Sequence, residues 1–499
     1  MELQFEKKVQ SCLRKLNCQT QTREETQDLR LPDTMPDIGR VLGCWGQILI
    51  RGKEWRSDGI SVSGGVMTWV LYAPEDGSQP RCMEGWIPFH MKWDLPESKR
   101  DGFIMAVPAL KSMDVRSTSA RKLMVRACVS IYADAMEPMD AEIPQPGQMD
   151  SDIQVLAQVY PMELPEEYGE KQFSIDEDLT IPNTYPKVDQ LIYYAIQPRI
   201  TEYKVMASRL VFRGEAAFEM LYSGDDGVLH RWETSVPFSQ FTELDRDHSS
   251  QSTADLSVFV TGLELEKGEE NRLTLKSSLT AQYVIYDREM LCVAEDAYST
   301  KRKVTAQMTP LCLPVRLDDR VEKCDISADC HMDAASIVDA SVRMDHPLQR
   351  RTGDVAQLEF PCQFQILYYD SEGKLQSGSA KTDGKLELGC ASENKVDCFT
   401  GGSANVRATV SGEGITLLAE TDICVAVSAD HGLTVVSALE VGDAKKPDPA
   451  RPSVILRRAG EDRLWDIAKE YGSTVEAIRD ANHLQNDPPA NQMLLIPLS

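Results

Sequence analysis

The chain has 499 residues, of which 42% are hydrophobic and 26% are charged, as in ordinary globular proteins. Its net charge of −25 argues against a nucleic-acid partner or an anionic membrane surface, because both require clustered Lys and Arg. No stretch approaches the roughly 18 apolar residues of a membrane span, and the first residues lack the apolar segment of a signal peptide. We therefore expect a cytoplasmic protein without membrane insertion.

The cysteines and histidines lack the spacings that metal and catalytic sites require. The 13 cysteines are an odd number, scattered and without a CxxC pair. The seven histidines show no HExxH or other zinc-ligand spacing, and there is no GxSxG elbow and no phosphate-binding loop. We expect reduced, mostly buried cysteines, and we predict no catalytic residue, no metal site and no cofactor.

An internal repeat organises the chain up to residue 444. The motif apolar-Pro-x-Thr-x-Pro at 31–36 recurs 150 residues later at 181–186, and Leu71-Tyr72 recurs as Leu221-Tyr222. A third, more diverged copy has Tyr369 at the corresponding position. Such a period indicates tandem structural units. We place the three units at 1–150, 151–300 and 301–444.

Each unit has the sequence pattern of β-strands. The runs at 66–72 and 210–222 are rich in β-branched and aromatic residues and are bounded by Gly, Asp, Ser or Pro. The segments 223–227 and 370–373 are typical of hairpin turns, because Gly and Asp tolerate the left-handed backbone. We therefore predict a mainly β protein with three tandem β-rich repeats, each a sandwich or open barrel, followed by a small βααβ domain.

One helix is a candidate at the start of the chain. Five apolar residues in this segment are spaced as on one face of a helix, namely Phe5, Val9, Cys12, Leu13 and Leu16. The corresponding start of the second unit, 153–160, alternates as a strand does. A helix at the start of the chain is thus one expectation and a strand is the alternative.

The tryptophans are concentrated in the first unit, which contains Trp45, Trp55, Trp69, Trp86 and Trp93. Such a cluster is compatible with an aromatic groove for a sugar or a peptide. Core residues of a β-domain are the alternative that we favour, because Trp dominates cores as readily as interfaces.

A proline-rich segment at 445–452 separates the β-rich units from the end of the chain. Its sequence, KKPDPARP, contains three prolines, which favour a stiff and extended spacer. We predict that this spacer holds residues 453–499 away from the units, in the manner of a docking head.

The end of the chain has the pattern strand, helix, helix, strand. A short apolar run at 454–456 comes first, and apolar residues then follow helical spacing over 464–471 up to Gly472. A second helical pattern covers 475–481, preceded by residues that can cap a helix. The segment 493–496 closes the pattern as a strand.

These residues resemble a LysM domain. The matching residues are Leu464-Trp465-Asp466-Ile467-Ala468, Tyr471-Gly472, Val475, Ile478, Asn482 and Leu495-Ile496-Pro497. LysM domains are non-catalytic and usually bind glycans that contain N-acetylglucosamine, through two loops that flank one shallow groove. The resemblance implies that the binding residues are Gly460, Glu461, Asp462, Arg463, Asn482, His483, Leu484 and Gln485.

Both loops depart from the LysM pattern. The chain has the longer Gly460-Glu461-Asp462-Arg463-Leu464 where the family usually has Gly-Asp-Thr-Leu, and Asn482-His483 where the family often has Asn-Gly. The charged rim at 461–463 suits a protein partner, because charge complementarity sets partner choice. Ordinary surface turns are the alternative interpretation of these residues.

The β-rich units resemble DUF3794, a domain of unknown function that occurs in tandem in clostridial spore proteins. The resemblance rests on the proline motif, on the apolar run into Leu-Tyr, and on Ile87-Pro88-Phe89 with Val236-Pro237-Phe238. Tandem units followed by one LysM domain resemble the SipL-type spore-coat morphogenetic proteins.

The SipL-type resemblance implies a function. It implies a non-enzymatic protein of the mother-cell cytoplasm that lies at the forespore surface, where its LysM domain docks onto a SpoIVA-type coat protein. The alternative is a LysM protein that binds peptidoglycan or a chitin-like glycan at the cell wall or spore cortex.

Overall fold

The computed structural model describes residues 2–95, 101–145, 149–269, 271–400, 405–412, 414–445, 452–460, 462–488 and 491–498. Strands make up 79% of the structure and helices 3%, so the prediction of a mainly β protein is confirmed. Within these ranges no helix is long and apolar enough to cross a membrane.

The strands up to residue 444 fall into three successive groups, which we call repeats 1, 2 and 3. Repeat 1 contains β1 (Glu2–Gln4), β2 (Glu6–Arg30), β3 (Ile38–Arg56), β4 (Gly59–Pro74), β5 (Arg81–Asp94), β6 (Phe103–Ser119) and β7 (Lys122–Gln145). Repeat 2 contains β8 (Ile153–Thr180), β9 (Val188–Gly224), β10 (Leu229–His248), β11 (Thr253–Lys267) and β12 (Arg272–Ser299). Repeat 3 contains β13 (Arg302–Cys330), β14 (Ser336–Met344), β15 (Leu348–Thr352), β16 (Val355–Tyr369), β17 (Leu375–Gly389), β18 (Lys395–Thr400), β19 (Asn405–Ser411) and β20 (Gly414–Ala444).

In every repeat a long strand near the start pairs antiparallel with the last strand. These pairs are β2 with β7, β8 with β12, and β13 with β20. Some of the intervening strands form a second sheet in each repeat, namely β3-β4-β5, β9-β10, and β14-β16 with β15 and β17. The others, β6, β11, β18 and β19, pair with the last strand of their repeat. In repeat 1 the buried residues of both sheets belong to one cluster, so that two sheet layers enclose its core.

The long first strand of each repeat carries a β-bulge at a corresponding place. The extra residue, which has no partner in the ladder, is Leu16 in β2, Glu166 in β8 and Leu317 in β13. A bulge bends the strand and redirects the side chains next to it. The three repeats thus share an irregularity as well as their regular pairing.

The residues that recur between repeats 1 and 2 hold a turn against a strand. Tyr72 Oη donates to the carbonyl oxygen of Pro36 at 3.0 Å, and Tyr222 Oη donates to that of Pro186 at 3.2 Å. Both tyrosines are fully buried. The Pro-x-Thr-x-Pro motif and the Leu-Tyr pair are therefore parts of one structural contact.

The prediction of a helix at the start of the chain is wrong, and the strand alternative is confirmed, because β2 occupies these residues. Cys12 and Leu13 are buried, but Val9 is 57% exposed, so the helical spacing is not the packing pattern. The ladder with β7, interrupted only by the bulge at Leu16, provides hydrogen-bond partners along β2. Such long-range pairing overrides a weak local pattern.

The repeats share a core that contains tryptophans of repeat 1. Trp45 stacks on Tyr193 of repeat 2 with ring centroids 4.9 Å apart, and Trp69 meets Tyr194 edge-on at 5.0 Å. Leu367 of repeat 3 belongs to the same buried cluster. Trp45 and Trp69 are therefore core residues that join one repeat to the next.

Candidate functional site

The C-terminal module has the predicted order of elements. It consists of β21 (Val454–Arg458), α1 (Leu464–Tyr471), α2 (Val475–Asn482) and β22 (Met493–Pro497). The two strands pair antiparallel. The fully buried side chains of Ile467, Ile478, Leu494 and Ile496 form the centre of its core.

Local sequence explains where α1 ends and where α2 begins. Gly472 ends α1 in the left-handed conformation, with φ of 66°, which glycine adopts at no steric cost. Thr474 caps α2, because its Oγ1 accepts a hydrogen bond from the Ala477 N–H at 3.0 Å. His483 follows α2 with φ of 55°, a conformation that is uncommon outside glycine.

The first predicted loop presents a rim of mixed charge. Gly460, Asp462 and Arg463 are exposed, and Glu461 lies outside the described residues. Asp462 forms an ion pair with Arg457 at 2.7 Å, and Arg463 forms one with Asp466 at 3.1 Å. The hydrogen bond to Asp466 raises the pKa of Arg463, so this side chain stays charged.

In the second loop, Asn482 has a structural role. Its Nδ2 donates to the carbonyl oxygens of Ile478 at 2.7 Å and Leu495 at 2.6 Å, and its Oδ1 accepts from the Leu495 N–H at 2.7 Å. The amide of Asn482 thus connects α2 to β22, which leaves it little capacity to contact a ligand.

The other residues of the second loop divide between core and solvent. Leu484 is half-buried against the core of the module, while His483 and Gln485 are exposed. Asp487 Oδ1 accepts a hydrogen bond from the Leu464 N–H at 3.1 Å, which brings the two loops together at the start of α1. Of the binding residues that the LysM resemblance implies, Asn482 and Leu484 are therefore not part of the exposed surface.

The side of the β21–β22 sheet that faces away from the helices carries four exposed apolar side chains, which we call the outer sheet face. Their exposed fractions are 46% for Val454, 64% for Leu456, 51% for Met493 and 42% for Leu495. The pairing of Leu456 with Leu495 places two of them side by side. Adjacent exposed apolar side chains mark an interaction surface more often than scattered ones do.

The opposite side of the module packs against β12 of repeat 2. Trp465 Nε1 donates to Asp296 Oδ2 at 2.8 Å, Lys469 Nζ pairs with the same carboxylate at 2.7 Å, and Tyr298 Oη donates to the Ser473 carbonyl at 2.9 Å. The rings of Trp465 and Tyr298 meet edge-on at 4.8 Å. Burial, and then the nearby Asp296, raise the pKa of Tyr298 to about 12.

This contact contradicts the prediction that the proline-rich spacer holds the module away from the repeats. The physical reason is that Trp465 and Tyr298 bury their rings against each other while their polar atoms keep hydrogen-bond partners. Residues 446–451 of the predicted spacer lie outside the described residues.

Two parts of the chain match known family models. Residues 461–497 match the family model of the LysM domain, and residues 187–267 match the family model described as SipL, SPOCS domain. The two matches together cover less than half of the chain. No curated protein and no solved structure matches it.

Together the two matches define the class of protein, which is a LysM-containing protein associated with sporulation. The SPOCS match falls on β9, β10 and β11 of repeat 2, and the LysM match falls on the C-terminal module. That combination is the one found in a SipL-type protein with LysM, as the resemblance predicts.

The outer sheet face is not predicted from the sequence. Residues 454–456 are apolar at every position, so the sequence does not show which of them face outward. Only the placement of both helices on one side of β21 and β22 distinguishes the buried Ile496 from the exposed Leu495.

Proposed function

We propose that this chain is a non-enzymatic assembly protein of the spore envelope, and that its LysM domain docks onto a SpoIVA-type coat protein. The observation that carries the proposal is the outer sheet face, where Val454, Leu456, Met493 and Leu495 are exposed together. A protein partner can cover these side chains, and burying one large apolar side chain contributes about 1.5–3 kcal/mol.

The loops support a protein partner more than a sugar. Asn482 is engaged within the module, and Asp462 and Arg463 give the rim charges of both signs. Such charges at the edge of an apolar surface fit the usual anatomy of a protein interface, with an apolar centre and a polar rim. The resemblance to SipL-type proteins supports a mother-cell location at the forespore surface.

A second candidate function is peptidoglycan binding. The LysM match favours it, and the hydrogen bond between Leu464 and Asp487 brings the two loops together as a glycan groove requires. In that case the exposed Arg463, His483 and Gln485 would contact the sugar, and the outer sheet face would stay uncovered.

A two-arm capture experiment separates the candidates. The purified full chain is mixed with a purified SpoIVA-type coat protein in one arm and with purified cell wall in the other. We expect capture with the coat protein, no sedimentation with the wall, and no release of soluble muropeptides. Sedimentation with the wall, without capture by the coat protein, would contradict docking and favour glycan binding.

A matched pair of variants ties the result to the surface. Leu456→Glu places a charge in the outer sheet face, whereas Leu348→Glu places the same charge at a 54% exposed site on β15. Only the first variant is expected to reduce capture by the coat protein.

A further inference from the structure

The β-bulges of the three repeats bring charged groups into the interior. In repeat 1, Lys15 precedes the bulge and contacts Asp134 at 2.8 Å and Asp397 at 2.6 Å. In repeat 3, Arg316 precedes the bulge and contacts Asp255 and Asp319. In both cases one cationic side chain from the bulge compensates two carboxylates.

Repeat 2 departs from this arrangement because Pro165 precedes its bulge. The bulge residue is Glu166, and Glu167 follows it. Consecutive residues of a regular strand face opposite sides of the sheet, but here both glutamates reach the same group of side chains. The bulge of repeat 2 therefore contributes negative charge where those of the other repeats contribute a cation.

The group that faces these glutamates is His248, at the end of β10. Its side chain is fully buried, with Nε2 2.9 Å from Glu167 Oε2 and Nδ1 2.7 Å from Asp287 Oδ2. Asp287, from β12, also accepts a hydrogen bond from Ser252 Oγ. Three carboxylates thus surround one imidazole, and burial and then repulsion by Asp287 raise the pKa of Glu166 to about 7.

We propose that Glu166, His248 and Asp287 bind a divalent transition-metal ion, which supplies the cation that Lys15 and Arg316 supply in the other repeats. Ligand atoms of these three residues lie within 4.8 Å of one another. Imidazole and carboxylate together suit ions such as Zn²⁺ and Co²⁺. The metal takes the place of the proton on Nδ1, and that proton is released to solvent.

Glu167 then has the role of an outer partner. A metal-bound histidine usually donates its other ring N–H to a carboxylate, which fixes the orientation of the ring. Glu167 Oε2 occupies that position opposite Nε2, and Glu167 Oε1 accepts from the backbone N–H of Asp245 at 2.9 Å. The carboxylate is therefore held in place from the other side.

A cavity gives the site a path to solvent. It has a volume of about 300 Å³ and lies between repeats 1 and 2, where Glu166 and Glu167 line it together with Cys12, Asp140 and Arg246. Three protein ligands leave at least one coordination position free for water in a four-coordinate site, and Glu166 lies both in the ligand set and on the cavity wall.

Binding of Co²⁺ tests the proposal, because the visible absorption of the bound ion depends on which ligand atoms surround it. The metal-free full chain is titrated with Co²⁺, and Zn²⁺ is then added as competitor. We expect saturable binding with a visible d–d spectrum, displacement by Zn²⁺, and no sulfur-to-cobalt charge-transfer band. A charge-transfer band would place the metal on cysteine and overturn the proposal, as would the absence of saturable binding.

Three variants assign the site. Glu166→Gln removes one ligand without touching the two hydrogen bonds of His248, and should weaken Co²⁺ binding at least about tenfold. His248→Gln should abolish the spectrum, while His90→Gln, at an exposed strand position, should leave it unchanged. Equal Co²⁺ affinity in Glu166→Gln and the unmodified chain, with both folded by circular dichroism, would contradict the proposal.

Discussion

At the scale of single residues, Asn482 makes three hydrogen bonds, of which the two to Leu495 connect α2 to β22. We expect Asn482→Ala to lower the local stability of the module by about 1–2 kcal/mol, because the Leu495 N–H and carbonyl lose their partner. Hydrogen exchange of α2 and β22 in the full chain measures this change. Gln485→Ala, in the same loop but exposed, is the control; equal exchange in the two variants would contradict the structural role of Asn482.

His248 makes stability depend on pH when no metal is bound. Burial alone would lower its pKa, but the hydrogen bonds to Glu167 and Asp287 outweigh burial and raise it. A raised pKa in the folded state stabilises the protein fully below the unfolded value of about 6.5, and this stabilisation is lost as the pH rises through the folded value.

The difference in free energy of unfolding between the unmodified chain and His248→Gln should therefore be largest at about pH 6 and shrink towards about pH 9. Urea unfolding in the presence of a chelator measures it, with His90→Gln as the control. A difference that is constant over this range would mean that His248 does not carry a proton in the folded state.

At the scale of elements, the contact between α1 and β12 determines how the LysM domain is attached. Asp296 accepts from Trp465 and pairs with Lys469, so Asp296→Ala should weaken the attachment by about 1 kcal/mol, a modest value because the ion pair is partly exposed. Faster hydrogen exchange in α1 is the expected result. Asp430→Ala removes an exposed ion pair with Lys395 elsewhere and should not change that exchange.

The elements also show what sequence can predict. Both LysM helices are predictable because Gly472 marks the end of α1 and Thr474 marks the start of α2. The repeat is predictable because each of the tyrosines Tyr72 and Tyr222 contacts a proline of the same motif, so that both repeats keep the motif. The start of β2 is not predictable from local sequence, because the part of β7 that pairs with it lies more than 100 residues away in the chain. Long-range pairing of this kind leaves little trace in a local window.

At the scale of the whole molecule, the three repeats are joined by shared apolar and polar contacts. Trp45 stacks on Tyr193 between repeats 1 and 2, and Lys15 of repeat 1 contacts Asp397 of repeat 3. The sequence indicates tandem units but not this sharing, since each contact joins residues from different repeats. The Glu166, His248 and Asp287 cluster escapes motif analysis for a similar reason, because it assembles from three strands.

The LysM domain completes this assembly with one side on repeat 2 and the other towards solvent. Trp465 faces β12, while Leu456 and Leu495 face away from it. The attachment to β12 thus leaves the outer sheet face uncovered, and a partner can bind there without displacing the domain.

The most direct test is the affinity of the full chain for a SpoIVA-type coat protein, measured for the unmodified chain and for the double variant Leu456→Glu/Leu495→Glu. We predict binding that is at least about tenfold weaker in the double variant, and unchanged binding in the Leu348→Glu control. Retention of full affinity by the double variant, together with loss of binding in Asp462→Ala/Arg463→Ala, would contradict docking through the outer sheet face and place the binding surface on the loops.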